Sequence, residues 1–156
     1  MKWTVLAVGR SMPPAIADLV KEYRSRLEPF GGVGLEVVAE ERRDKGITAQ
    51  MAMEREAERL TARIARGAMS VALDAGGRMY SSEAFSRQLD RWRQDAPPEI
   101  LFMIGGPDGL APSIKSAASQ LLSLGPLTLP HMLARMLLFE QIYRAMTIWH
   151  GLPYHR

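Results

Sequence analysis

Short apolar runs alternate with helix-length segments from one end of this chain to the other, and that alternation restricts the fold more than any other feature. Lys2–Val8, Leu35–Ala39, Met69–Asp74, Glu99–Ile104 and Gln120–Leu124 read as strands, each a run too short for a helix and bounded by turn residues. Pro13–Leu27, Thr48–Arg66, Ser82–Arg93, Pro112–Ser119 and His131–Trp149 read as helices. Ser11, Thr48 and Ser81 stand at their starts as N-cap candidates, while Gly31-Gly32, Gly67 and Ala96-Pro97-Pro98 follow their ends. Glu40–Gly46 is a charged loop, and Ala75-Gly76-Gly77 reads as a turn. A strand followed each time by a helix predicts an α/β sandwich, with helices flanking a mostly parallel sheet. Ligands bind such sheets beyond the carboxyl ends of the strands. If the strands are parallel, the glycine turns after Asp74, Ile104 and Leu124 share that edge.

Composition closes off several function classes. The 156 residues fit a single domain, 1–156, with no repeat or linker that would divide it. No apolar run reaches the roughly 18 residues of a membrane span. The apolar start at Met1–Val8 is too short for a signal peptide and lacks a cleavage site. There is no cysteine, so a disulfide framework is absent and a cytoplasmic address is expected. With only three histidines besides, a Cys/His zinc site is excluded and no metal is expected. The net charge of +3 is mildly basic and does not by itself establish a nucleic-acid partner. Arginine outnumbers lysine 16 to 4, a bias that suits planar phosphate recognition but also fits solvated helix faces. Arg42, Arg43 and Lys45 in the charged loop are open to the same two readings.

The last third, Leu101–Arg156, concentrates the unusual chemistry. Gly105-Gly106-Pro107-Asp108-Gly109 follows a strand but matches neither the dinucleotide nor the phosphate-loop pattern, and it carries no lysine to reach a phosphate. It offers exposed backbone donors and acceptors with little side-chain bulk, which suits a ligand read by its adenine and ribose edges without a pyrophosphate. A second loop, Leu124-Gly125-Pro126-Leu127-Thr128-Leu129, follows the next strand. The helix beginning at His131 is apolar over most of its circumference, so it is expected to be buried on several sides, with a dimer contact covering the second face. Its polar exceptions include Arg135, Glu140, Gln141 and Arg144; Glu140 and Arg144 are spaced to pair with each other.

These segments together resemble a known family. Gly105–Gly109, Leu127-Thr128-Leu129-Pro130-His131, the helix positions Arg135, Glu140, Gln141, Tyr143, Arg144 and Ala145, and the tail Pro153-Tyr154-His155-Arg156 are similar to the RlmH (YbeA-like) family, the ribosomal RNA large subunit methyltransferases H. Val5–Gly9 and the segment from Leu73-Asp74 through Gly77 to Ser81-Ser82-Glu83 extend the resemblance over essentially the full length. It implies a single-domain SPOUT fold, an α/β protein whose C-terminal part, about residues 101–156, is threaded into a trefoil knot and binds S-adenosylmethionine. It also implies a homodimer with the knots at the interface. The implied reaction is methylation at N3 of a pseudouridine in a stem-loop of 23S rRNA, carried out on the assembled 70S ribosome.

By matching motifs, Leu73, Gly105, Gly106 and the loop Leu124, Gly125, Pro126, Leu127, Thr128 and Leu129 are the expected cofactor contacts. The sulfonium cofactor has no phosphate, in agreement with the missing loop lysine. Removal of the N3 proton calls for a base near its working pH. His131, Glu140 and His155 are candidates, while Arg135, Arg144 and Arg156 are placed to hold phosphate or charge developing on the base. Tyr154-His155-Arg156 is expected to bind RNA and close the site, and His131 is open to the second role of orienting the adjacent loop. Two positions depart from the family pattern: Asp108 where Glu is usual, and the stiffer Gly125-Pro126 where a serine is usual. The rival reading is a SPOUT-like protein that binds RNA without catalysis, or one directed at another RNA such as tRNA.

Overall fold

The computed structural model describes residues Met1–Arg156. Its strands are β1 (Lys2–Val8), β2 (Gly34–Val38), β3 (Met69–Arg78), β4 (Glu99–Ile104) and β5 (Gln120–Leu122). The helices are α1 (Pro14–Leu27), α2 (Ala49–Thr61), α3 (Ser82–Gln94), α4 (Pro112–Ala117) and α5 (His131–Trp149). The strands form one sheet in the order β2-β1-β4-β3-β5, and every neighbouring pair is parallel. All strand carboxyl ends therefore lie on one edge, as the alternation of elements requires.

Strand periodicity distributes the core between two faces. Trp3, Val5 and Ala7 of β1 and Ile100, Phe102 and Ile104 of β4 join α1, α3 and α5 in one apolar cluster. Leu6, Val8, Leu101 and Met103 point the other way, into a smaller cluster with α2 and α4. Covered on both faces, the central strands read as unbroken apolar runs rather than alternating ones. Helix α5 lies against α1 and α3, and the Ser86 hydroxyl donates to the Ala145 carbonyl at 2.7 Å. Its Leu138, Phe139 and Ile142 are wholly buried, each contributing about 1.5–3 kcal/mol of burial energy.

The structure moves several boundaries. Ser11 does not cap α1: Pro13 occupies the cap position with no side-chain bond, and Pro14 in the first turn lacks the N–H that a cap would satisfy. Thr48 and Ser81 do cap their helices, accepting the N–H groups of Met51 and Ala84. Helix α2 stops at Thr61, before Arg66, and α4 and β5 are shorter than their sequence patterns. The largest correction is at Ala75-Gly76-Gly77, which is not a turn ending β3. The strand continues to Arg78, with an irregularity that lets both Leu73 and Arg78 pair with Leu122. Gly77 is required by contact there, because a Cβ would lie 2.8 Å from the backbone of Leu121 and Leu122.

Candidate functional site

A cavity of about 760 Å³ opens beyond the carboxyl ends of β4 and β5 and beside the middle of β3, within the size range of small-molecule sites. Leu73 and Asp74 enter it from β3, Gly105–Gly109 from the loop after β4, and Leu124, Gly125, Leu127, Thr128 and Leu129 from the loop after β5. The first loop folds tightly on itself: the Gly109 N–H donates to the Gly106 carbonyl at 3.0 Å. A Cβ on Gly105 would stand 2.3 Å from the Gly109 carbonyl carbon, so only glycine permits this closure. The second loop is tied to β3 by Ser123, whose hydroxyl lies 3.1 Å from the Ala75 carbonyl and accepts the Gly125 N–H at 3.0 Å. Asp74 is held by Lys115 at 3.2 Å and accepts the Gly76 N–H. The lining includes no lysine or arginine; its ionisable side chains are Asp74, Asp108 and His131.

His131 begins α5 at the cavity wall. Burial, and then the charge of Arg135, pushes its pKa below the ordinary imidazole value, against the opposing pull of Glu40 and Glu56. One turn on, the Arg135 side chain is completely buried and donates from Nη2 to the carbonyls of Val8 and Gly9, at 3.1 and 2.9 Å. Its Nε and Nη1 have no partner. Arg135 thereby fixes the start of α5 over the end of β1.

A second polar cluster occupies the far part of α5. Arg144 donates to Glu140 from Nε and Nη2, at 3.0 and 2.5 Å. The Tyr154 hydroxyl donates to the same carboxylate at 3.1 Å, and Arg144 lies over the Tyr154 ring. Burial, with the Tyr23 and Glu140 bonds, raises the Tyr154 pKa. His155 reaches Arg144 through Nδ1 at 3.4 Å and Glu83 through Nε2 at 2.9 Å. Glu83 is held at about 2 by its backbone N–H, then by His155 and Ser81. Arg156 is exposed.

A family model described as "Predicted SPOUT methyltransferase" matches residues 1–155. The chain belongs to the SPOUT methyltransferases. Among relatives, it is 46% identical to a protein of Rhodospirillum centenum named ribosomal RNA large subunit methyltransferase H, covering 100% of this chain and 99% of that one. A protein of the same name from Magnetococcus marinus is 39% identical over 99% of each chain. Among solved structures, a probable methyltransferase from Bordetella pertussis Tohama I superposes with a TM-score of 0.57 at 17% identity. That match spans 93% of this chain and 96% of the other, and it shows likeness of fold alone.

Within this SPOUT methyltransferase, eight of the nine positions expected to contact cofactor line one cavity; Pro126 is the exception. The residues expected to do chemistry divide into two groups. His131 and Arg135 lie at the cavity end of α5, while Glu140, Tyr154 and His155 form the other cluster. From residue 131 to residue 140 the helix rises about 13 Å. No tail residue lines this cavity.

A charged network beside the cavity carries no motif in the sequence. Arg43, grouped with Arg42 and Lys45 as a solvated or phosphate-facing residue, bonds Asp108 and Glu56 instead. Glu56 shares the buried face of α2 with Ala52, Ala57 and Leu60. A carboxylate on an otherwise apolar helical face was the available signal.

Proposed function

We propose that this chain is an S-adenosylmethionine-dependent methyltransferase of ribosomal RNA that methylates N3 of a pseudouridine in 23S rRNA on the assembled 70S ribosome, in the cytoplasm. The observation that carries the reading is a cavity walled largely by two loops, one of them glycine-rich, without lysine or arginine, at the carboxyl edge of a parallel sheet. The relatives named ribosomal RNA large subunit methyltransferase H support the RNA substrate.

The cavity residues fit the proposed cofactor. The backbone of Gly109 and Leu110 fills the space of a Cβ at Gly105, so the first loop closes compactly without a side chain there. S-adenosylmethionine carries a sulfonium and no phosphate, which agrees with acidic rather than basic lining groups. When bound, it supplies an electrophilic methyl group. Leu73, Gly105, Gly106 and the Leu124–Leu129 loop hold and orient it, with Pro126 stiffening the second loop. This orientation lowers the barrier of an in-line transfer.

His131 is suited to take the N3 proton, because its lowered pKa leaves the imidazole neutral with a free lone pair at neutral pH. Arg135 keeps that imidazole in place. The tail acts on the second substrate: Tyr154, His155 and Arg156 close over RNA, with Glu140 and Arg144 organising them. Since the tail lies away from the cavity of its own protomer, a homodimer that brings one protomer's tail to its partner's cavity reconciles the two clusters. Trefoil threading of the C-terminal part belongs to the same proposal. Here β5 pairs with β3, so the connection leaving β4 passes across β3 before α5 returns to the opposite face.

The test incubates the protein and labelled S-adenosylmethionine with intact ribosomes, with separated subunits and with tRNA, all from cells lacking this gene. Label is expected in 23S rRNA of intact ribosomes. Label on tRNA, or only on free 23S rRNA, contradicts the assignment, and absence of cofactor binding in calorimetry sinks it.

A further inference from the structure

We infer that Arg43 is a positioning residue of the cofactor cavity, holding the glycine loop in its binding conformation through Asp108 while neutralising Glu56 beneath it. This rests on the cofactor reading above and adds a residue outside the cavity lining.

The Arg43 guanidinium is used on several sides. Its Nε and Nη2 donate to Asp108 Oδ2 at 3.1 and 2.9 Å. Its Nη1 donates to Glu56 Oε1 at 2.7 Å and to the Glu41 carbonyl. Asp108 is a cavity residue inside the Gly106–Gly109 turn, so the first pair of bonds fixes the turn directly. Both bonds converge on one oxygen of the carboxylate and are charge-assisted, which makes them stronger than neutral ones.

Glu56 explains why the arginine is drawn inward. It is 2% exposed, its Oε1 also accepts the Glu41 N–H at 2.9 Å, and its Oε2 has no partner. A Cβ on Gly106 would stand 3.2 Å from that oxygen, so the carboxylate lies immediately against the glycine loop. A buried carboxylate needs a cation, and Arg43 supplies it. Both acids raise the Arg43 pKa against the effect of its burial.

The loop after β2 and the loop after β4 are thus joined across the end of β1, which lies between those strands. Arg42 and Lys45, on the same loop, remain exposed. Arg43 has its donors committed within the protein.

A double-mutant cycle tests this. Asp108→Asn leaves the Arg43–Glu56 pair in place, and Arg43→Gln is combined with Glu56→Gln so that no buried charge is stranded. Calorimetric titration with S-adenosylmethionine is expected to show each arm weakened about tenfold, with all three changes together no worse than the weaker arm. Arg43→Lys, which keeps charge but loses the fork, is expected to fall between wild type and the Gln variant. Hydrogen exchange at the Gly109 amide, measured without cofactor, is expected to quicken in Asp108→Asn. Unchanged affinity and exchange in that variant overturns the inference. So do multiplying losses, about a hundredfold in all, which would mean that Asp108 acts on the cofactor itself. Should wild type bind no cofactor, the functional reading fails, while the exchange measurement still decides whether Arg43 positions the loop.

Discussion

The two parts of α5 fix their polar groups by opposite means. At its start, His131 stands beside loops fixed by the Gly106–Gly109 backbone bond and by buried or half-buried side chains, and Arg135 is buried against the carbonyls of Val8 and Gly9. Further along, Glu140 and Arg144 hold Tyr154 and His155 through side chains alone, much of it in reach of solvent. At Gly105 the Gly109 backbone leaves no room for a Cβ, so that closure tolerates no side chain. Partly exposed side-chain bonds contribute little each and exchange readily with water or phosphate. The contrast suits the roles proposed for them, a preformed cofactor cavity and a tail that closes over RNA.

The largest expected effect comes from breaking the preformed end. Gly105→Ala forces a Cβ into the Gly109 backbone; displacing the loop by the ångström or so that relieves the clash should weaken S-adenosylmethionine binding by about a hundredfold. Calorimetry measures it, with circular dichroism confirming that the sheet survives. Retained affinity would show that the loop is softer than its geometry implies.

His131→Ala should be the next most damaging. Turnover is expected to fall about a hundredfold while cofactor affinity changes only a few-fold, the pattern of a lost general base rather than a lost binding contact. A matched rise in KM for cofactor with unchanged kcat would instead assign His131 to orienting the loop.

At the tail, His155→Ala should reduce turnover about tenfold, leaving cofactor affinity intact and stability within about 0.5 kcal/mol, as befits a partly exposed bond. If the rate on ribosomes is unaltered, the tail leaves the mechanism and the two ends of α5 no longer serve one reaction.

The smallest effect is on stability against pH. Burial and Arg135 hold the folded His131 pKa below 6.5. Between that lowered value and 6.5 the unfolded chain binds a proton that the folded chain does not, so stability falls as pH drops through this window and is fully present above it. Urea unfolding on either side of the window should show wild type losing more stability than His131→Asn. Equal losses would mean that the imidazole is as free as in the unfolded chain.

Much of this was legible from local pattern. The apolar runs and their following helices located all five strands and all five helices, because burial on both faces leaves a continuous apolar signature. Thr48 and Ser81 were recognisable as caps because capping depends on residues three positions apart. Ser11 misled, since a proline pair starts α1 without a cap. The Ala75-Gly76-Gly77 segment looked like a turn because glycine has the same local preference in a turn and in a strand irregularity. Its role at Gly77 comes from close approach of β5, more than forty residues away. Within the cavity, glycine spacing pointed to both loops, and the motif resemblance singled out Leu73. The Arg43–Asp108–Glu56 network was invisible, because its members lie on three separate segments and ordinary charged residues carry no positional mark.

The sequence by itself determined the kinds of element and their order, and with them a parallel α/β sheet whose glycine loops share an edge. Those follow from periodicity and from the conformational freedom of glycine, which act over a few residues. Only the tertiary structure decided that His131 and the tail stand apart, that Arg135 is wholly buried, and that Arg43 turns inward to Glu56. Each of these is a matter of which distant charges meet in a space closed to water, and that is set by strand order and helix packing rather than by neighbours along the chain.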